Sequence, residues 1–286
     1  MRNFGGVALV VRVMQSNADY ARCLGRASVG ALLFALPLFM TMEMWELGFT
    51  ADKFRIAALL AVTAPLLVGL SYVAGFERAF GLVDHLLDAF AAFLVAAAVG
   101  ALALVLFGVL RPGQPPIEIL SKVALVTFPA ALGALLADKQ LGRKGSADAD
   151  ADRAYATRLF LMAVGALFVA LNVAPTEEMV LIAQQISPLQ AALLAILSLA
   201  LLHALLFWVD FAESGPNDAG GFWSVLLRYS VVGYALCALV SLFLLWVFNR
   251  TEGVPLGELT EYVAVLSFAS VLGAGLAHAV VAERRG

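Results

Sequence analysis

Charge is what this sequence has least of. Asp, Glu, Lys and Arg make up 14% of its 286 residues, where a soluble domain carries about a quarter. Cysteine is almost missing too, and Cys23 and Cys237 show no paired spacing. That excludes a disulfide framework and a metal knuckle. No Walker loop, His-Glu-x-x-His helix or Gly-x-Ser-x-Gly elbow occurs, and only three histidines are present, so an enzyme ranks last among the readings. The few bases are scattered without interleaved aromatics, which removes nucleic acid as a partner. What fills the space is apolar: 62% of residues are hydrophobic and the mean hydropathy is +0.93.

A helix needs about 20 predominantly apolar residues to cross a bilayer core. Eight stretches qualify, at roughly 28–50, 56–76, 86–110, 117–138, 157–183, 187–210, 223–248 and 258–282. Long Ala, Leu and Val runs are the wrong pattern for a transmembrane β-barrel, which alternates. The fold class is therefore all-α: a polytopic membrane protein of about eight transmembrane helices.

The chain also echoes itself. Thr41-Met42-Glu43-Met44 recurs as Thr176-Glu177-Glu178-Met179 at an offset of 135, and Gly30-Ala31-Leu32 recurs as Gly165-Ala166-Leu167. At an offset of 140, Glu118 falls on Glu258, Phe128 on Phe268, and Leu132-Gly133-Ala134 on Leu272-Gly273-Ala274. The expected organisation is an N-terminal arm (1–25), a first four-helix repeat (26–138), a linker (139–157) rich in Ala and Asp, and a second four-helix repeat (158–286). Four is even, so both repeats enter from one side and form a parallel pair. Gly133 with Ala137 and Gly273 with Ala277 mark helices four and eight for close contacts, and Ala89, Ala92, Ala96 and Gly100 give helix three a small-residue face.

Thirteen of the 18 bases, Arg2 and Arg285 among them, fall on the side of the termini when loops alternate, which places both termini in the cytoplasm. The opposite side holds nine carboxylates (Glu43, Glu46, Asp52, Glu118, Glu177, Glu178, Glu252, Glu258, Glu261) against five bases (Lys53, Arg55, Arg111, Lys122, Arg250). Such an excess concentrates cations at an outer mouth. The apolar run Gly5 to Val11 is short, Arg12 interrupts it and no small-residue cleavage site follows, so the arm reads as uncleaved, with Met1 or Met14 as the start.

Intramembrane acids are costly and ask for a reason. Pro37 and Pro175 lack an amide hydrogen, so each is expected to free a carbonyl, of Leu33 and of Leu171. Thr41, Glu43, Thr176, Glu177 and Glu178 follow these prolines, and hydroxyl, carboxylate and bare carbonyl are hard oxygen ligands suited to a monovalent or divalent cation. Glu46, Glu118 and Glu258 are candidates for an outer entrance. The competing reading makes Glu43 and Glu46 surface acids paired with Lys53 and Arg55, and makes Glu118 and Glu258 helix-start acids favoured by the dipole. Helix five offers no nearby base in sequence, and this favours a functional role for its acids. His203 has Val68 or Gly69 as its counterpart and reads as an unduplicated interior histidine. Asp84, His85, Asp88, Asp210 and Glu213 read as solvated interface residues.

The stretch from Arg26 to Gly48, ending Thr41-Met-Glu-Met-Trp-Glu-Leu-Gly, with Asn172-Val-Ala-Pro-Thr-Glu-Glu-Met in the second half, resembles a family of bacterial integral membrane proteins of unassigned function. The resemblance implies a prokaryotic inner-membrane protein and brings no activity. Two function classes remain: a cation channel or transporter built on the Thr-x-Glu segments, or a non-transporting membrane sensor or assembly protein. The first is the stronger expectation. Its partners would be membrane lipids and inorganic cations, with no cofactor beyond a bound cation, and a homo-oligomer is left open.

Overall fold

An apolar chain in lipid must satisfy its backbone internally, and helices do so one segment at a time. The computed structural model describes residues 4–74, 82–141, 151–218 and 222–282, and every regular element among them is helical. In chain order these are α1 (Phe4–Phe39), α2 (Met42–Thr50), α3 (Lys53–Ala74), α4 (Leu82–Leu106), α5 (Pro116–Leu141), α6 (Ala151–Val173), α7 (Glu177–Gln185), α8 (Pro188–Asp218) and α9 (Phe222–Val225). A π-turn (Leu226–Ser230), α10 (Val231–Val247) and α11 (Leu256–Ala282) complete the order. Eight spans among the described residues are long and apolar enough to cross a membrane, from Ala21–Phe39 to Leu256–His278. Linker residues 142–150 and the side chains of Asp84, Asp210 and Glu213 lie outside the described residues.

Two of the expected helices are broken. The stretch 28–50 ends as α1 at Phe39 and resumes as α2, and the stretch 157–183 ends as α6 at Val173 and resumes as α7. Proline disfavours helical backbone in the residue before it and donates no hydrogen bond, so Pro175 sits in the second gap. Pro37 stays inside the last turn of α1, with Met40 N–H returning to the Pro37 carbonyl at 3.1 Å. The expected kink is therefore a break three residues later. At the other end, α1 extends back to Phe4, so most of the expected arm is helical.

The element bounds recur at the sequence offset of 135. Both α2 and α7 have nine residues, from Met42 and Glu177, and α3 and α8 begin at Lys53 and Pro188. The short helices bury equivalent residues, Met44 with Gly48 and Met179 with Ala183. The chain then turns into the next span through an oxygen-bearing residue: Asp52 Oδ1 accepts from Phe54 N–H at 2.7 Å, and the Ser187 carbonyl accepts from Ala191 N–H at 2.9 Å. Further along, α4 and α10 end in the same motif. Gly108 (φ +71°) and Asn249 (φ +62°) take left-handed backbone, with Val109 N–H on the Leu104 carbonyl and Arg250 N–H on the Leu245 carbonyl.

The described residues fall into two compact units, bounded Met1–Met40 with Val62–Arg143, and Thr41–Ala61 with Lys144–Gly286. The units differ from the two sequence halves in placing residues 41–61 with the second. In the first unit α1 packs on α5, and Gly133 lies against the Gly30 carbonyl and Phe34. Ala27, Ala31 and Ala35, every fourth residue of α1, are fully buried, so small side chains let the backbones approach. Ala89, Ala92 and Ala96 of α4 are buried as expected, and Gly100 faces Val126 of α5. In the second unit α6 packs on α11, where Gly165 and Gly273 each abut the other's backbone. The glycines expected to mark close contacts do so, and their partners are the equivalent glycines Gly30 of α1 and Gly165 of α6.

Candidate cation site

The Thr-x-Glu segments lie at the N-termini of the two short helices. Thr41 (φ −97°, ψ 123°) and Thr176 (φ −72°, ψ 144°) are the extended residues before α2 and α7, and neither hydroxyl caps its helix. The Thr176 hydroxyl donates back to the Val173 carbonyl at 2.9 Å. Glu43 and Glu178 both occupy the second helical position, where four backbone N–H groups lack intrahelical partners and the helix dipole favours an anion. Both belong to the second unit. Glu43 is half-buried and Glu178 exposed, and neither has an ion pair or hydrogen bond among the described residues.

The remaining acids are placed less alike. Glu177 is exposed and paired: Arg250 Nη2 donates to its Oε1 at 2.9 Å and to the Pro175 carbonyl at 3.0 Å. The expectation that helix five has no base at hand is thereby corrected, since the base comes from the turn after α10, 73 residues away. Glu46 and Glu258 are exposed. Glu118, in the first unit, accepts from Lys122 Nζ at 2.6 Å and from Gln114 Nε2 at 3.1 Å. Its charge is balanced by a lysine that is itself buried. No three His, Cys, Asp or Glu side chains among the described residues form a group able to hold a metal ion.

Arg55 is a second correction. It does not serve Glu43 or Glu46 as the surface reading supposed. Arg55 is 8% exposed, and its guanidinium donates to the Trp246 carbonyl at 2.8 Å, to Asn249 Oδ1 at 2.6 Å and to Glu252, and lies 5.3 Å from the Trp246 ring centroid. Arg55 and Arg250 therefore clasp the end of α10 to the first turn of α3 and to the break before α7. Five bases facing nine acids made such pairing legible in kind, but the choice of partners lies 191 to 197 residues along the chain for Arg55.

The environment of other polar groups was not legible in the sequence. Glu261, in the second turn of α11, is 8% exposed and has no ion pair or hydrogen bond among the described residues. At the offset of 140 its counterpart is Ser121, while the buried Lys122 corresponds to Tyr262, which accepts from Gln184 Nε2 of α7 at 3.0 Å. The first unit thus neutralises its acid at this level and the second leaves one without a base. Deeper in the second unit, Ser241, Ser267 and Ser270 are fully buried and join α10 to α11, with Ser241 Oγ 2.8 Å from Ser270 Oγ. Asp88 is no bare interface acid either, because it accepts from the buried Ser71 hydroxyl at 3.2 Å.

Set against known proteins, residues 23–281 match a family model described as "Putative integral membrane protein (DUF2391)". The match takes in all eight spans, bar two residues of the first. No curated protein and no solved structure matches the chain. The chain belongs to this family of integral membrane proteins.

Proposed function

We propose that this member of the DUF2391 family moves cations across a prokaryotic inner membrane, as a channel or an exchanger, and carries out no catalytic chemistry. The observation that carries the reading is the pair of broken helices. In each half the first span ends, at Phe39 or at Val173, and a nine-residue helix with an acid at its second position stands before the next span. Non-helical backbone at membrane depth is tolerated where it is buried in protein or lines a wet path, and transporters build ion sites from such breaks. Thr41, Glu43, Thr176 and Glu178 are the residues assigned to the pathway. Glu261 adds support, since an intramembrane acid without a base is expensive unless a cation meets it.

The excess of bases on the side of the termini supports a cytoplasmic location for both, and the recurring element bounds support a parallel two-repeat arrangement. Reconstitution into proteoliposomes tests the function. Parent, Glu43→Gln and Glu178→Gln proteins are compared under Na⁺, K⁺, Ca²⁺ and H⁺ gradients. Either substitution keeps the shape and removes one charge, so flux or selectivity is expected to change while folding holds. Unaltered conduction in both variants, or none in the parent, removes the reading. A non-transporting sensor or assembly protein is then the better account, and the ion pairs Glu177–Arg250 and Glu118–Lys122 are what favour it.

A further inference from the structure

The second unit holds an imidazole that its surroundings leave half satisfied. His203 of α8 is 7% exposed. Its Nδ1 lies 2.9 Å from Ser230 Oγ, while Nε2 is fully buried and has no hydrogen-bond partner. The ring meets Phe222 edge to face at 4.4 Å and Phe207 at 5.9 Å. Ser230 closes the π-turn, and its hydroxyl donates to the Val225 carbonyl five residues back at 3.3 Å. A π-turn inside a membrane helix is a costly irregularity that often marks a functional position, and here its last residue is the one that meets His203.

Ser230 has one hydroxyl proton for two neighbours, the Val225 carbonyl at 3.3 Å and His203 Nδ1 at 2.9 Å. With that proton on the Val225 carbonyl, Nδ1–H donates to Ser230 Oγ and Nε2 presents a bare lone pair, and ¹⁵N signals distinguish this tautomer from its Nε2–H alternative. The titratable and charged groups on the elements packed around it do not neutralise a proton there. Tyr229, Tyr234 and Cys237 belong to the apolar cluster with Leu202, Leu206 and Val225. Arg158 lies over the Tyr229 ring, Arg228 gives its carbonyl to the Tyr155 hydroxyl, and His278 lies on α11. Of the carboxylates of α11, Glu258 and Glu261 sit ten or more residues before Val271, the cluster's first member on that helix.

We propose that His203 is an intramembrane proton-binding site of the second unit. A proton delivered as hydronium adds to the Nε2 lone pair and leaves water, Nδ1–H keeps its bond to Ser230, and the neutral ring becomes an imidazolium. Loss of the same proton from Nε2 restores the starting state. The first unit has a related pair, with the residues exchanged between helices: Ser71 of α3 lies 3.3 Å from His85 Nδ1 of α4, and Tyr72 packs on that ring at 5.1 Å. A His–Ser contact thus occurs in both units, although the sequence counterpart of His203 is Val68 or Gly69 and Ser71 also pairs with the Asp88 carboxylate. Ser230 is a positioning residue, held where it is by the π-turn. This deepens the cation-pathway reading by naming the proton as an ion handled by the second unit.

The test uses the full chain in lipid bilayers with ¹⁵N-labelled histidine. Only His85, His203 and His278 contribute signals, so the one lost in His203→Gln is assigned. A His85→Gln, His278→Gln double variant isolates the same signal should that substitution fail to fold. The expected result is a bare Nε2 and a protonated Nδ1 at high pH, and two protonated nitrogens at low pH. Ser230→Ala removes the Oγ that meets Nδ1 and should shift the Nδ1 signal. A ring that keeps one proton throughout, or that carries it on Nε2, overturns the proposal. Proton uptake by His203 in a protein without cation flux would remove the cation pathway and leave this site standing, and cation flux past an inert His203 would do the reverse.

Discussion

Replacing Gly133 by alanine is the sharpest test of the packing. In an ordinary helix the change gains about 1 kcal/mol from propensity. Here a Cβ at position 133 would meet the Gly30 carbonyl oxygen at 2.5 Å, where ordinary contact starts at 3.4 Å, so α1 and α5 would have to part by 3.4 − 2.5 = 0.9 Å. Phe34 Cβ, one turn further along α1, is closer still, belongs to the stem of its side chain and cannot swing away. Overpacking of this kind costs about 1–3 kcal/mol, which outweighs the propensity gain and leaves a net loss of roughly 1–2 kcal/mol. Gly25→Ala is the control, because Gly25 lies in the same α1 and a Cβ added there would have nothing within 4 Å. Reversible unfolding in mixed micelles, followed by circular dichroism as the fraction of denaturing detergent rises, reads the difference. Gly133→Ala should unfold earlier than the parent and Gly25→Ala no earlier. Equal stability of the two alanine variants would refute the close approach of α1 and α5.

Gly273→Ala should repeat the loss in the second unit, since its Cβ would fall on the Gly165 carbonyl; a gain in the same unfolding assay would contradict the α6–α11 contact. Arg55→Ala removes donors to three acceptors and should cost about 1.5–3 kcal/mol. Arg55→Lys should not restore it, because an ammonium lacks the planar fork, and full rescue by lysine would argue against the clasp. Asn249→Gly should be tolerated better than Asn249→Val by about 1–2 kcal/mol, as φ is +62° there; thermal unfolding of the two in one detergent decides it. For topology, cysteines at Arg111 and Thr251 should react with an impermeant reagent from outside and one at Ser146 from inside. Positions 111 and 251 are chosen over Gly113 and Gly253, whose φ of +92° and +72° strains any side chain, and labelling of 111 and 146 from the same face would reject eight spans with cytoplasmic termini.

Much was decided by the sequence itself. Bilayer thickness turns apolar length into spans, so eight spans and an all-helical fold follow from composition and run length. Close contacts at Gly133 and Gly273 follow as well, because only the smallest residues let backbones touch. Pro37 and Pro175 marked the neighbourhoods of the two irregularities, but a kink was expected at Pro37 and the structure has a break after Phe39 and another after Val173.

Tertiary structure decided how charge is placed. Pairing is a matter of distances across tens to hundreds of residues, and no local pattern carries them. That is why Arg250 was missed as the base beside Glu177, and why Arg55 went to Glu252 rather than to Glu43 or Glu46. The same holds for Glu261, which stands second-turn in α11 much as Glu258 stands in the first, yet is buried while Glu258 is exposed. A helix face becomes inside or outside only when a neighbour covers it. His203 makes the point most plainly: its hydrogen-bond partner comes from another helix, brought into reach by a π-turn that hydrophobic periodicity does not encode.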